Sequence, residues 1–273
     1  MLARVEETLR SSGAEAPAVE ARWIVQAAAK RDRAELLLDP DISSEDERVA
    51  DQLAARRAAG EPLQYVTETA GFRHLQIAVG PGVFIPRPET ELVAERAMAL
   101  LPHGGRLVDV GTGSGVIALA VADERPDAEV FATESSASAL AWAERNRTAL
   151  GASVKLFQCD LLSGLPPALA ASFDVVVANP PYIDRAEANN LPREVVEHEP
   201  DRALFAGERG LDVSIRLADM AIAWMKPTGW LVLEIGRDQG QRVRTLLGAA
   251  GYEQVSVARD LAGNDRIAVG QKP

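Results

Sequence analysis

The chain has 273 residues, 47% of them apolar, and a formal net charge of -11, which suits one large or two modest domains with a sizeable core. The charge argues against a partner gripped by its phosphate backbone, which takes a basic patch, and no Lys/Arg cluster supplies one. A single cysteine, Cys159, excludes an internal disulfide framework, and with no apolar run of about 18 residues and no leader-like N-terminus the expectation is a cytoplasmic protein off the membrane.

Residues 1–62 are rich in Ala, Leu, Arg and Glu at helical spacing, as in VEARWIVQAAAK and DERVADQLAARRAAG, and predict a small helical domain. Ser44 and Glu47 have the spacing of a capping box for the later helix, and Gly60 with Pro62 closes it. The pattern changes at YVTETAGFRHLQIA, residues 65–78, to a partly alternating run that predicts a hairpin. GPGVFIPRPET follows, too irregular for an element and too apolar for a loose tether, so residues 63–88 form a hairpin and linker. From residue 89 to 273 strands and helices alternate. Helix 89–101 leads to RLVDV, a glycine turn, helix VIALAVADE, strand EVFATE, helix SALAWAERNRTAL and strands VKLFQC and FDVVVA. After a long loop come helix 211–225, strand WLVLEIG, helix 239–250 and the runs YEQVSVA and RIAVG. This order predicts an α/β fold with a mainly parallel, doubly wound sheet, the last two strands antiparallel because DLAGND is too short for a crossover. Cys159 ends an apolar run and reads as a buried structural thiol, and His74, His103 and His198 lack metal-ligand spacing, so no metal is expected.

RLVDV runs into GTGSG, with Gly111, Thr112, Gly113, Ser114 and Gly115 opening a helix. Glycines there let the backbone turn tightly and approach a ligand at the carboxyl ends of the strands. The third glycine comes one place too early for a dinucleotide fingerprint, and no P-loop lysine follows. Glu134 ends the next strand, where a carboxylate takes both ribose hydroxyls, and Asp160 ends the third strand, placed for an adenine amino group. Asp109, just before the turn, either holds it or faces a cationic ligand. Together these acids suit an adenosine with a positive centre and no phosphates, such as S-adenosylmethionine (AdoMet).

The run VVVANPPYID, residues 175–184, is a β-branched strand stopped by two prolines on the same rim. The Asn179 side-chain carbonyl and the Pro180 main-chain carbonyl are two acceptors that can hold an NH2 group, with Pro181 shaping the turn and Tyr182 stacking on a planar acceptor. Such a clamp serves a glutamine amide or an adenine amino group alike.

FIPRPETE at 84–91, DVGTGSG at 109–115, NPPYI at 179–183 and DLAGNDR at 260–266, behind a helical N-terminal domain, resemble the HemK/PrmC family of protein-(glutamine-N5) methyltransferases across essentially the whole chain. The resemblance implies a seven-stranded class I AdoMet-dependent (Rossmann-like) methyltransferase sheet, and a helical domain that helps grip the substrate. It also implies methylation of the glutamine in the GGQ motif of class 1 peptide chain release factors. Carried onto this sequence, it puts the cofactor turn on Gly111 to Gly115, the ribose acid on Glu134 and the amide clamp on Asn179, Pro180, Pro181 and Tyr182, with Asn179 at both cofactor and substrate. Phe84 and Arg87 become candidates for covering the methyl end of the cofactor. The chain departs from the family pattern in carrying Glu134 where Asp is more usual, and Leu161, beside the adenine, where some members have an aromatic ring. The expected product is S-adenosylhomocysteine and the expected state a monomer, with no nucleic acid bound directly. A ribosomal-protein glutamine methyltransferase is the nearest alternative, although FIPRPETE favours the release-factor branch. An adenine-N6 nucleic-acid methyltransferase fits the clamp but not the charge. A nicotinamide oxidoreductase loses on glycine spacing, and a non-catalytic AdoMet-binding regulator leaves an intact clamp unexplained.

Overall fold

The computed structural model describes residues 1–273, the side chain of Glu208 excepted. The Ala- and Leu-rich N-terminal segment forms α1 (Leu2–Ser11), α2 (Pro17–Ala29), α3 (Arg33–Leu38), α4 (Ser44–Ala58) and α5 (Leu63–Thr67). The capping box lies at the start of α3, where the Asp32 carboxylate accepts the Glu35 N–H at 2.8 Å and the Glu35 carboxylate accepts the Asp32 N–H at 2.8 Å. At α4 the cap is Ser43 rather than Ser44: Ser43 is the extended residue, and its hydroxyl accepts the Asp46 N–H at 3.1 Å. Two adjacent serines give the same local pattern, and only the backbone angle separates cap from first helical residue. The hairpin is shorter than expected, with β1 at Thr69–Phe72 and β2 at Leu75–Ala78. Residues 65–67 belong instead to α5, which Pro62 starts and which buries Leu63, Tyr65 and Val66 on one side.

The remainder alternates as its pattern predicts: α6 (Pro88–Leu100), β3 (Arg106–Val110), α7 (Val116–Glu124), β4 (Glu129–Glu134), α8 (Ala137–Leu150), β5 (Val154–Gln158) and β6 (Phe173–Ala178). The long loop then carries α9 (Arg193–His198) and α10 (Asp201–Leu204), both too short for a periodic signal, before α11 (Asp212–Trp224), β7 (Met225–Glu234), α12 (Gly240–Ala249), β8 (Glu253–Arg259) and β9 (Asp265–Gln271). Cys159 lies just past β5 and is half-buried rather than buried, its thiol donating to the Leu161 carbonyl at 3.4 Å while burial raises its pKa.

The chain divides into two compact units, Met1–Thr69 with Val79–Pro81 and Leu191–His198, and the rest. In the first, α1, α2, α4 and α5 enclose Val5, Leu9, Ile24 and Ala50, and Arg57 joins Glu20 at 2.7 Å to Glu194 of α9 at 2.8 Å. In the second, a seven-stranded sheet runs β5-β4-β3-β6-β7-β9-β8, parallel except at β9, which pairs antiparallel with both β7 and β8. Its inner strands are continuous apolar runs, as a sheet covered on both faces requires, with Val175, Val176 and Val177 fully buried. Strand order reverses between β3 and β6, which pair with Asp109 opposite Val177. That is the switch point where an open α/β sheet leaves a crevice beyond its carboxyl ends. Among the described residues no helix is long and apolar enough to cross a membrane.

Candidate active site

Register brings the two sequence motifs together. Two residues past the Asp109–Val177 pair, the chains leave β3 and β6 at Gly111 and Asn179, so the glycine turn and the NPPY segment emerge side by side at the switch point.

The turn needs its glycines. Gly111, Gly113 and Gly115 have φ of 71°, 60° and 93°, the left-handed region that Cβ-bearing residues avoid. A Cβ on Gly111 would meet nothing within 4 Å, so its space is open to a ligand, whereas one on Gly115 would lie 2.9 Å from Leu119 Cδ1. Gly115→Ala is therefore expected to cost about 1–3 kcal/mol, read as a lower unfolding midpoint in denaturant. An unchanged midpoint would count against a strained, close-packed turn.

Of the two roles open to Asp109, holding the turn is the one in place. Its Oδ2 accepts the Thr112 hydroxyl at 2.5 Å and the Ala118 N–H at 3.1 Å. Burial pushes its pKa up to about 7, those hydrogen bonds opposing and the Glu134 charge adding to the rise. Its Oδ1, with Ser114 Oγ and Thr133 Oγ1, is buried without a hydrogen-bond partner among the described residues. Glu134 ends β4 and is nearly buried, its Oε2 accepting the Gly113 N–H at 3.0 Å and its Oε1 the Ser136 N–H at 2.8 Å. The carboxylate thus sits against the glycine turn with lone pairs to spare for a diol. Orphaned buried oxygens, an open glycine cradle and an acid beside it fit the nucleoside and amino-acid ends of AdoMet.

Asp160 does not end the strand as expected: β5 stops at Gln158, and Asp160 lies exposed two residues beyond it, paired with Arg216 of α11. Leu161 next to it has φ 51° and packs against the core edge. Phe84 and Arg87 contact each other, the guanidinium 4.7 Å from the ring centroid, and Arg87 pairs with the buried Glu199, whose Oε2 accepts the Ile85 N–H at 3.1 Å. The FIPRP segment is thereby tied down, with Val83 and Ile85 buried.

At the NPPY end, Asn179 Nδ2 donates to Thr90 Oγ1 at 3.1 Å, and the Thr90 hydroxyl donates to Glu234 Oε2 at 2.7 Å. The Tyr182 hydroxyl donates to Glu234 Oε1 at 3.3 Å, and the Tyr182 carbonyl accepts from Gln239 Nε2 at 2.9 Å. Burial raises the Glu234 pKa to about 7 against the pull of Thr90, Arg266 and Tyr182, and lifts the Tyr182 phenol above its ordinary range, so it is neutral. Arg266 is itself held by Asp260 at 3.2 Å and by the Ile235 carbonyl at 3.3 Å. Thr90, Glu199, Glu234 and Arg266 had no role assigned from sequence. Signals for three of them were present, as the PET of FIPRPETE, the NDR of DLAGNDR and an acid closing the apolar run of WLVLEIG, whereas Glu199 had none. Among the described residues no three His, Cys, Asp or Glu side chains are grouped to hold a metal ion.

A family model for the methyltransferase small domain matches residues 76–208, and one for the PrmC N-terminal domain matches residues 1–67. A protein of Geobacter sulfurreducens named release factor glutamine methyltransferase is 38% identical over 265 residues, 96% of this chain and 92% of that relative. Proteins with the same name from Neisseria gonorrhoeae and Caulobacter vibrioides are 38% and 36% identical, covering 93% and 98% of this chain and 93% of each relative. Among solved structures, a methyltransferase from Pyrococcus furiosus superimposes with a TM-score of 0.57 at 19% identity, over 83% of this chain and 98% of that one. The T. thermophilus 16S rRNA N2 G1207 methyltransferase, in complex with AdoMet and guanosine, gives 0.56 at 20% identity, over 75% of this chain and 50% of that one. These structural likenesses establish the Rossmann-like methyltransferase fold.

Proposed function

The chain belongs to the family of release factor glutamine methyltransferases, and from that premise we propose that it moves the methyl group of AdoMet onto the side-chain nitrogen of the glutamine in the GGQ motif of class 1 release factors. The observation that supports the reading is the register of β3 and β6, which brings the end of β6, where Asn179 follows, beside the glycine turn.

AdoMet bound at this turn supplies an electrophilic methyl carbon on a sulfonium. The Gly111 to Gly115 backbone and the free oxygen of Asp109 would hold its amino-acid end, and Glu134 its ribose, with Asp160 and Leu161 flanking the adenine. The acceptor amide nitrogen is a weak nucleophile because its lone pair is delocalised. Asn179 Oδ1 and the Pro180 carbonyl accept its two hydrogens, which aims the nitrogen in line and favours the lone pair as positive charge develops. Tyr182, neutral, would stack on the amide plane. Once the new N–C bond forms the nitrogen is acidic and gives up one proton to water, so no strong base is needed before attack. In this reading the product is S-adenosylhomocysteine, the reaction needs no metal, and the enzyme works as a cytoplasmic monomer. The surface charge of -11 favours a protein acceptor over a nucleic acid.

The test incubates the protein with methyl-labelled AdoMet and, separately, a release factor, the same factor with its GGQ changed to GGA, and duplex DNA. Label is expected on the unaltered factor alone. Label on DNA, or label on the GGA factor equal to that on GGQ, would overturn the assignment.

A further inference from the structure

Asn179 can hold a substrate NH2 only if its amide is turned the right way. A primary amide has two ends of similar shape and opposite hydrogen-bonding character, and only the oxygen end can accept from a substrate NH2. Something must choose between them.

A chain of hydrogen bonds runs from Asn179 through Thr90 to a carboxylate acceptor at the end of β7. The register of β6 and β7 pairs Ala178 with Leu233, so Asn179, just past β6, and Glu234, the last residue of β7, stand at the same height. Thr90, at the third position of α6, lies between them and is 2% exposed, while Glu234 is 1% exposed. An ionised carboxylate can only accept. Thr90 must therefore turn its single proton to Glu234, at 2.7 Å, and is left with lone pairs alone toward Asn179. Lone pairs attract the Nδ2 end, which donates at 3.1 Å, and the planar amide then carries Oδ1 away from Thr90.

We propose that Glu234 is a positioning residue for methyl transfer, fixing through the Thr90 hydroxyl the orientation of the Asn179 amide that offers Oδ1 to the acceptor nitrogen. This deepens the release-factor reading and depends on it for the identity of the acceptor. The groups facing Glu234 are Arg266 from β9, Tyr182 from the loop after β6, and Thr90 and Glu89 from α6. Arg266 and the two hydroxyls favour the ionised form, and burial with Glu89 opposes it, which leaves the pKa near 7. Protonated Glu234 can itself donate to Thr90, whose proton is then free to turn toward Asn179 and attract the wrong end of the amide.

The experiment compares wild-type protein with Thr90→Val, Thr90→Ser and Glu234→Gln, using a release factor as acceptor. Thr90→Val and Glu234→Gln are expected to lower kcat by about tenfold or more, with AdoMet affinity by calorimetry changed less than about threefold, and Thr90→Ser to restore most of kcat. Wild-type kcat at saturating AdoMet is expected to fall as the pH drops through about 7. Glu234→Gln should flatten that limb; Asp109, also near 7, is present in both proteins and cancels in the comparison. Unchanged kcat in both variants, or parallel losses of kcat and AdoMet affinity that Thr90→Ser does not repair, would overturn the proposal while leaving the wild-type activity standing. If the release factor is not the acceptor, wild type itself transfers no label, and the Asn179 side-chain NH2 resonances still decide. Glu234→Gln, which does not touch Asn179, should shift them in the nitrogen-proton spectrum and Thr90→Ser should not, whereas resonances unmoved by Glu234→Gln refute the relay.

Discussion

Asn179→Ala lowers kcat for methylation of a release factor by at least about 10²-fold while leaving AdoMet affinity within a few-fold of wild type, because the lost contacts act mainly as charge develops on the acceptor nitrogen. The split follows from where the side chain stands. Asn179 leaves β6 beside the glycine turn, but its side-chain amide bonds to Thr90, whereas the nucleoside side is framed by Glu134 and the Gly113 N–H. The backbone around it is held independently, with Pro180 buried and the Tyr182 carbonyl bonded to Gln239. Truncation at Cβ therefore removes one acceptor without unfolding the segment. The half-buried side chain gives up a single neutral hydrogen bond, worth about 1 kcal/mol of stability, so the unfolding midpoint should barely move. Initial rates at saturating AdoMet and acceptor, with calorimetry for the cofactor, check both halves. Wild-type kcat in the variant would remove the clamp from the mechanism, and a collapse of AdoMet binding would make Asn179 a cofactor residue first.

What was legible in the sequence follows the range of the forces involved. The strands announced themselves because a parallel sheet covered on both faces needs unbroken apolar runs such as FDVVVA and WLVLEIG, and each of these is a strand at that place. The glycine turn was legible because positive φ at three positions admits almost nothing else. The short link DLAGND settled the antiparallel pairing of β8 with β9 by its length alone. Missed features rest on partners far apart in sequence. Glu234 lies 144 residues from Thr90, and Glu199 lies 112 from Arg87, so neither pairing leaves a local pattern. The cap of α4 was misplaced by one residue because Ser43 and Ser44 offer the same hydroxyl and only the extended backbone of Ser43 decides. The reach of the hairpin was overestimated because Tyr65, Val66 and Thr67 are residue types common in strands, over too short a span to separate one turn of helix from a strand. Asp160 shows the same limit from the other side: a strand before it was readable, but not that the strand stops two residues short of it or that it pairs, exposed, with Arg216, 56 residues later.

Glu134→Ala is the complementary case, raising the dissociation constant for AdoMet by about 10²-fold while kcat at saturating cofactor stays within a few-fold of wild type. Two charge-assisted hydrogen bonds to a ribose diol are worth about 1.5–3 kcal/mol each, against roughly 2.7 kcal/mol for a hundredfold change, so even partial loss reaches that size. A second contribution comes from the turn itself. Glu134 accepts the N–H groups of Gly113 and Ser136, and alanine leaves the Ser136 N–H buried with no acceptor at that side. The cofactor then has to order a turn that in the wild type is already held, which weakens binding further and lowers the unfolding midpoint of the ligand-free protein. In the proposed mechanism the acceptor amide is held from the end of β6, and the bonds that support Asn179 and Tyr182 from β7 and α6 do not involve Glu134. Methyl transfer therefore proceeds at close to its normal rate once AdoMet is in excess. Glu134→Gln separates the contributions, since it keeps an oxygen for one N–H but loses the charge and one acceptor, and its affinity should fall between the two. Calorimetry on the ligand-free proteins and initial rates across AdoMet concentrations measure the split. AdoMet affinity that survives in Glu134→Ala would move the ribose to another part of the rim, and a kcat loss as large as that of Asn179→Ala would mean that the nucleoside side and the amide clamp are not separate devices.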